Sequence, residues 1–148
     1  MSRKSVHIYI FHPFAHFSRF GRGRVLRTTA DSPTYAANYN DPNGPQDVFF
    51  PMPAVPYLKL AAVHDEKAKV LTIFALNRSL TEELPLRLHA AGFSKLALKQ
   101  ALQLCDADLQ AVNTKDNPNR VAPKPLAAVR TDAGRLEATL APASWNLI

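Results

Sequence analysis

Four glutamates are the side chains of this sequence best suited to acid–base chemistry, namely Glu66, Glu82, Glu83 and Glu137. Acid–base and nucleophilic hydrolysis commonly needs two carboxyl groups that converge on one bond. Glu66 falls in a charged turn, Glu82 and Glu83 fall in a second turn, and Glu137 alternates with apolar neighbours as on the solvent face of a strand. Nothing in the spacing brings two of them together. The sequence therefore predicts surface carboxylates and no catalytic residue.

Two histidines, His12 and His16, are separated by one helical turn, a spacing that can bind zinc. No third ligand follows at short range, and Pro13 lies at the start of the predicted helix. We therefore favour packing of both imidazoles against aromatic neighbours, and we predict no metal and no cofactor. The single cysteine, Cys105, lies in a leucine-rich segment, which is typical of a small buried hydrophobic residue rather than of a nucleophile.

Asn77 and Trp145 each allow a structural and a functional interpretation. Asn77 opens a glycosylation sequon with Arg78 and Ser79, but we favour a strand-ending asparagine whose side chain bonds its own turn. Trp145, the only tryptophan, could stack on a sugar ring if it were exposed. Its place near the end of a closing strand favours a core position instead.

Composition indicates one domain with a sizeable core, because the chain has 148 residues of which 47% are hydrophobic. The net charge is +6, but the densest basic cluster (Arg19, Arg22, Arg24 and Arg27) lies in one loop-like region without a nucleic-acid-binding motif. We therefore predict no nucleic-acid partner. A lone cysteine, no apolar run of membrane-spanning length and no signal-peptide pattern predict a cytoplasmic protein without a membrane partner.

Short alternating segments predict an all-β fold. Residues 57–63 and 70–76 flank a charged turn as in a β-hairpin, and residues 84–89 alternate as a half-buried strand with Pro85 at its edge. A second hairpin is predicted from residues 126–130 and 135–140 around a turn at 131–134, with further strands at 24–28 and 143–148. Regular spacing of this kind is typical of a β-sandwich.

Three segments are less regular. Residues 94–105 fit a strand or an amphipathic helix, and we favour the strand because turn residues bound the segment tightly. His12–Phe20 favours a short helix. Residues 31–56 hold six prolines and can be neither a helix nor an interior strand. We expect a long, ordered excursion there, held to an apolar surface by Tyr35, Tyr39, Phe49 and Phe50.

Six motifs occur in an order that resembles one enzyme family. They are His12-Pro13-Phe14-Ala15-His16 with Gly21-Arg22-Gly23, Asp31-Ser32-Pro33-Thr34-Tyr35, Pro56-Tyr57-Leu58-Lys59-Leu60-Ala61-Ala62-Val63-His64, Phe74-Ala75-Leu76-Asn77-Arg78-Ser79, Ala107-Asp108-Leu109 with Asn113-Thr114, and Pro142-Ala143-Ser144-Trp145-Asn146. Together they resemble the C-terminal region of the α-L-arabinofuranosidases of glycoside hydrolase family 51. The resemblance covers the chain from about Tyr9 to Ile148.

The resemblance implies retaining enzymes that remove terminal α-L-arabinofuranosyl groups from arabinan and arabinoxylan fragments. It also implies a (β/α)₈ barrel that carries both catalytic glutamates, followed by a C-terminal β-sandwich of jelly-roll type. Residues 1–23 would then be a remnant of the exit from the last barrel strand, and residues 24–148 would be the sandwich domain. The family's acid/base follows an asparagine, and this chain has no Asn-Glu dipeptide. No catalytic residue can therefore be transferred to this sequence, and a gene that starts late or is broken upstream is expected.

Three functions remain open on this resemblance. The favoured one is a structural domain that packs on the barrel, for which the candidate barrel-facing residues are Phe11, Phe14, His16, Phe17 and Tyr35. The second is a free-standing carbohydrate-binding module for arabinose-containing oligosaccharides, with Trp145 as the candidate stacking residue. The third is one subunit of a split arabinofuranosidase. Self-association through the N-terminal aromatic segment is the alternative to a barrel partner.

Overall fold

The computed structural model describes residues 10–40 and 49–148. Within them the chain forms one helix and eleven strands. These are α1 (Phe11–Phe20), β1 (Arg24–Leu26), β2 (Thr34–Asn40), β3 (Phe49–Pro56), β4 (Leu58–Asp65), β5 (Val70–Asn77), β6 (Leu84–His89), β7 (Leu102–Leu104), β8 (Lys124–Pro125), β9 (Arg130–Asp132), β10 (Arg135–Leu140) and β11 (Ser144–Leu147). The predicted all-β class with one short helix is confirmed.

The strands form three antiparallel sheets. Six strands lie in the order β1-β4-β5-β11-β7-β8, three lie in the order β6-β10-β9, and β2 pairs with β3 as a separate ribbon. The core lies between the six-stranded and the three-stranded sheet, which makes the body of the molecule a sandwich. Its fully buried side chains include Ile73 and Ala75 from one sheet and Leu86 and Leu140 from the other.

The alternation of each strand explains which face it buries. In β10, Leu136, Ala138 and Leu140 are buried while the residues between them are exposed, because only one face of this sheet meets the core. In β5 the residues from Thr72 to Ala75 are all buried. This strand carries a continuous apolar run because α1 covers its second face.

Both predicted hairpins are present. In β4–β5 the turn is closed by Asp65, whose Oδ1 accepts hydrogen bonds from the backbone N–H groups of Lys67 and Ala68 at 3.0 and 2.9 Å. In β9–β10 the turn consists of Ala133 and Gly134, with φ of 43° and 80°. Two successive positive φ values are typical of the tight turns that match the twist of paired strands.

Two predicted strands are wrong in extent. The strand expected at 126–130 begins only at Arg130. Leu126 is buried in the core, and its N–H donates to the oxygen of Ala101. Ala128 has a φ of 55°, which interrupts an extended strand. The favoured strand at 94–105 reduces to Leu102–Leu104, and the rest of that segment is irregular rather than helical. Strand pairing ends there because β7 pairs with β11, which is itself only four residues long.

The proline-rich segment forms the β2–β3 ribbon. Its strands pair with each other, so neither is interior to a sheet, and Pro51, Pro53 and Pro56 lie on β3. The structure does not confirm the predicted long excursion held down by aromatic side chains. Tyr35 packs on Tyr57 with ring centroids 4.8 Å apart. The side chains of Tyr39, Phe49 and Phe50 lie outside the described part of the structure.

Candidate functional site

Helix α1 packs across the outer face of the six-stranded sheet through an aromatic cluster. The ring of Phe17 lies 4.4 Å from that of Phe74 and 4.9 Å from that of Trp145, measured between centroids. Phe74 on β5 is 1% exposed, and its ring lies 5.7 Å from Trp145 on β11. The cluster therefore joins the helix to two central strands of the sheet.

A hydrogen bond between side chains fixes the position of the helix. The indole Nε1–H of Trp145 donates to Nδ1 of His16 at 3.3 Å, and the ring of Phe20 meets the imidazole edge-on at 6.2 Å. Burial lowers the pKa of His16 from its ordinary value, and the nearby His12 and Arg19 lower this pKa further. A neutral imidazole with Nδ1 as acceptor is the form that this contact requires.

The helix ends where its last carbonyl groups find local donors. The N–H of Gly21 donates to the oxygen of Phe17 at 2.9 Å, and Nε of Arg22 donates to the oxygen of Ser18 at 3.2 Å. Pro13 lies in the first turn, where its missing N–H costs no hydrogen bond. The helix begins at Phe11, one residue before the predicted boundary.

Four large apolar residues in and next to α1 are exposed. We call this surface the aromatic face and define it as Ile10, Phe11, Phe14 and Phe17, which are 53%, 46%, 69% and 44% exposed. Their spacing places them on one side of the helix. Exposed aromatic residues that adjoin one another commonly mark an interaction surface.

The predicted barrel-facing residues occupy three different environments. Phe11 and Phe14 lie on the aromatic face, and Phe17 spans the boundary between that face and the cluster below it. His16 is buried under the helix and contacts the sandwich itself. Tyr35 lies in the β2–β3 ribbon, where its described ring contact is with Tyr57 rather than with a residue of α1.

Trp145 is half-buried, and its indole N–H is engaged by His16. Its ring contributes to the cluster under α1 and also touches the small core around Leu104. Stacking of Trp145 on a sugar stays a prediction. Before it could present a ring face to a ligand, its contacts with Phe17 and Phe74 would have to change.

The remaining polar residues considered for chemistry lie apart from one another. The four glutamates are exposed, and Glu66 forms an ion pair with Arg24 at 3.3 Å. Cys105 is half-buried, burial raises the pKa of its thiol, and its Sγ lies 3.4 Å from Oε1 of Gln103. Among the described residues no group of three or more His, Cys, Asp or Glu side chains could hold a metal ion.

Three of the four clustered arginines have local contacts. Arg24 pairs with Glu66, Arg22 bonds the end of α1, and the guanidinium of Arg19 lies 5.1 Å from the centre of the Phe20 ring. These contacts join the cluster to the end of α1 and to the β4–β5 turn. The described residues contain no helix with the length and hydrophobicity that a bilayer span requires.

Two buried asparagines connect the strand ends. Nδ2 of Asn77 donates to the oxygens of Glu82, Leu140 and Ala141 at 2.9, 3.2 and 2.9 Å, while its Oδ1 accepts from the N–H of Ser79. The predicted bond to its own turn is present, together with two bonds to the end of β10. The side chain is 0% exposed, which leaves no room for a glycan in the folded chain.

Asn146 on β11 has a corresponding role on the same face of the sheet, and sequence reasoning gave it no structural role. It donates to the oxygen of Ala75 at 3.2 Å and accepts from Nε2 of Gln103 at 2.8 Å. An amide in an otherwise apolar closing strand was the available signal, since a buried amide needs hydrogen-bonding partners.

The chain is similar in sequence to known proteins over nearly its whole length. A family model described as "Alpha-L-arabinofuranosidase C-terminal domain" matches residues 2–144. The chain is 38% identical over 139 residues to the intracellular exo-α-(1→5)-L-arabinofuranosidase of Streptomyces lividans, covering 93% of this chain and 19% of that enzyme. It is 34% identical over 140 residues to the enzyme of the same description from Halalkalibacterium halodurans, covering 94% and 25%.

Solved structures agree with the sequence relatives. The family 51 α-L-arabinofuranosidase of Bifidobacterium longum superposes with a TM-score of 0.77 at 26% identity, covering 96% of this chain and 25% of that one. The thermostable family 51 enzyme of Thermotoga petrophila superposes with a TM-score of 0.67 at 26% identity, covering 83% and 24%. The chain thus spans between 19% and 25% of the length of these relatives.

Proposed function

Because this chain belongs to the α-L-arabinofuranosidase C-terminal domain family, we propose that it acts as the non-catalytic structural domain of such an enzyme. In this role the sandwich of residues 24–148 packs on a catalytic barrel, and residues 1–23 connect the two. The barrel supplies the catalytic glutamates, and the sandwich supports the loops around the active site.

The observation that carries this proposal is the aromatic face of α1. Phe14 is 69% exposed although the helix beneath it is firmly attached to the sheet by Phe17, His16 and Trp145. Contact between an apolar surface and water is unfavourable, and burying one phenylalanine ring stabilises a complex by about 2 kcal/mol. A barrel that covers this face would recover that free energy.

The substrate and the compartment follow from the same relationship. The relatives named above are called intracellular exo-α-(1→5)-L-arabinofuranosidases. We propose that the enzyme served by this domain removes terminal α-L-arabinofuranosyl groups from arabinose-containing oligosaccharides, and that it does so in the cytoplasm.

The test is a chimaera in which this chain replaces the matching C-terminal part of the Streptomyces lividans enzyme. We expect the chimaera to hydrolyse 4-nitrophenyl α-L-arabinofuranoside, because the replaced parts share the fold and 38% identity. Phe14→Asp should reduce the activity or its thermal half-life at least tenfold, because a charge would be buried against the barrel. The initial rate and the rate of heat inactivation are the measurements.

Val25→Asp is the matched control, since Val25 is 72% exposed but lies on β1 instead of α1. It should leave the chimaera unchanged. Both variants of the isolated chain should melt like the wild type, because neither side chain is buried within it. Equal behaviour of the Phe14→Asp and Val25→Asp chimaeras would contradict the docking role of the aromatic face.

A further inference from the structure

The β2–β3 ribbon is separate from the two sheets of the sandwich. In the described part of the chain its strands pair only with each other, and none of its described side chains belongs to a buried cluster. The seven residues of β2 span about 20 Å. A two-stranded ribbon is only marginally stable by itself in water, so we expect a further surface to support it.

Contacts at its base attach the ribbon to the sandwich. The N–H of Tyr57 donates to the oxygen of Pro33 at 2.9 Å, and Nη1 of Arg78 donates to the oxygen of Pro56 at 3.3 Å. The ring of Tyr35 packs on that of Tyr57 at 4.8 Å between centroids. Because Tyr57 precedes β4 and Arg78 follows β5, the ribbon leaves the sandwich at the end where β4 begins and β5 ends.

One face of the ribbon is apolar. Tyr35 lies opposite Val55 and Ala37 lies opposite Met52, and residues directly opposite each other share a face. Tyr35 and Ala37 are two residues apart on β2, which places both pairs on the same face. We call these four residues the ribbon face; Met52 is 43% exposed and the other three are half-buried. Neither strand contains a charged residue, so the ribbon face is suited to an apolar protein surface.

Helix α1 begins at the same end of the sandwich. Ile10 and Pro13 line a cavity together with Leu76 of β5. Leu76 adjoins Asn77, the last residue of β5, which pairs with Leu58 at the start of β4. The base of the ribbon and the N-terminal part of the aromatic face therefore lie at one end of the sandwich.

The catalytic barrel of the proposed enzyme would join the sandwich at this end. The matched family is a C-terminal domain, and the chain spans only 19% to 25% of the length of its relatives. In such an enzyme the barrel precedes the sandwich, so it reaches the sandwich at Ile10, close to the base of the ribbon.

We propose that the ribbon face binds the catalytic barrel, as a second contact beside the aromatic face. This inference rests on the proposed function, because it assigns a further surface to the same partner. Pro51 and Pro53 deprive β3 of N–H donors, so contact through the side chains suits this ribbon better than addition of a third strand to β3.

Photo-crosslinking in the chimaera with the Streptomyces lividans barrel tests the proposal. The photoreactive residue p-benzoylphenylalanine replaces Met52, Phe14 or Ala36 in turn. Ala36 is the matched control, because it is exposed and lies between Tyr35 and Ala37, on the opposite face of β2. After irradiation we expect positions 52 and 14 to crosslink to barrel peptides of the same chain, and position 36 not to do so.

Met52→Asp should shorten the half-life of the chimaera in heat inactivation about fivefold, because it would place a charge against the barrel. Ala36→Asp should leave this half-life unchanged. Both side chains are exposed, so both variants of the isolated chain should keep the wild-type melting curve, as circular dichroism will check.

Three outcomes would overturn the role of the ribbon face and leave the proposed function intact. They are crosslinking from position 14 but not from position 52, a product with the mass of two chains from position 52, and equal inactivation of the Met52→Asp and Ala36→Asp chimaeras. Absence of barrel crosslinks from both positions would overturn the ribbon contact and the proposed function together.

Discussion

The hydrogen bond between Trp145 and His16 forms only when Nδ1 of His16 carries no proton. Nδ1 of His16 must be unprotonated to accept the indole N–H, and the imidazole lies among aromatic rings with His12 and Arg19 nearby. Both neighbours disfavour a further positive charge. Protonation therefore replaces a hydrogen bond with a buried cation that faces an N–H donor.

Stability should fall in mildly acidic solution for this reason. The folded chain holds the pKa of His16 below the 6.5 of the unfolded chain, so the unfolded state binds the proton first as the pH decreases. The stabilising contribution of neutral His16 is present above about pH 6.5 and is lost as the pH falls through the folded pKa. Urea unfolding followed by the fluorescence of Trp145, the only tryptophan, should show this loss.

His16→Gln should remove most of that pH dependence, because glutamine can accept a hydrogen bond but does not titrate in this range. His89→Gln, at an exposed position on β6, should retain it. The same pH dependence in the wild type and in His16→Gln would disprove the assignment to His16.

At the scale of elements, α1 has two sides that serve different purposes. His16 and Phe20 face the outer side of β5 and β11, and Phe11 and Phe14 are exposed on the aromatic face. Phe17 belongs to both surfaces, because it is partly exposed and also contacts Phe74. The position of each aromatic residue around the helix axis thus decides whether it packs against this domain or is exposed on its surface.

Phe17→Ala should loosen the helix, while Phe14→Ala should not. Phe17 packs against Phe74 and Trp145 although it is 44% exposed, so its truncation should cost about 2 kcal/mol, below the range for a fully buried ring. Phe14 loses the same atoms from a position that is 69% exposed. Trypsin cleavage after Arg19 and Arg22 should accelerate in the first variant only. Equal cleavage rates would show that Phe17 does not hold α1 to the sheet.

At the scale of the whole molecule, the sandwich leaves two apolar regions uncovered. The aromatic face lies outside the six-stranded sheet, and four half-buried leucines beside β6 (Leu26, Leu60, Leu71 and Leu88) lie inside it. Both result from the same asymmetry, in which a broad sheet needs a helix on one side and is only partly covered by a small sheet on the other.

The isolated chain should self-associate through the aromatic face when no barrel is present. Sedimentation velocity should show a mass that increases with concentration, because apolar surface is buried in the oligomer. Phe14→Asp should give a monomer, and Val25→Asp should behave as the wild type. If the wild-type chain is a monomer at every concentration, the aromatic face does not mediate self-association.

Local patterns predicted the parts of the fold that depend on neighbours in the chain. The β4–β5 hairpin follows from β-rich apolar runs around a charged turn. The strand predicted around Pro85 is β6, which lies at the edge of its sheet, where a residue without an N–H is tolerated. The strand expected at 94–105 is much shorter than predicted, because it pairs with β11, about 40 residues further along the chain, and β11 is itself short.

The all-β class, the two hairpins, the short aromatic helix and the resemblance to a family could be predicted from the amino-acid sequence. Periodicity, turn residues and the order of motifs are properties of the chain that need no knowledge of its tertiary contacts. Which aromatic residues are buried or exposed, and which distant carbonyl groups accept hydrogen bonds from Asn77, depend instead on the tertiary structure. These properties depend on which strands become neighbours. That choice is made by burial of the whole core and cannot be read from any single segment.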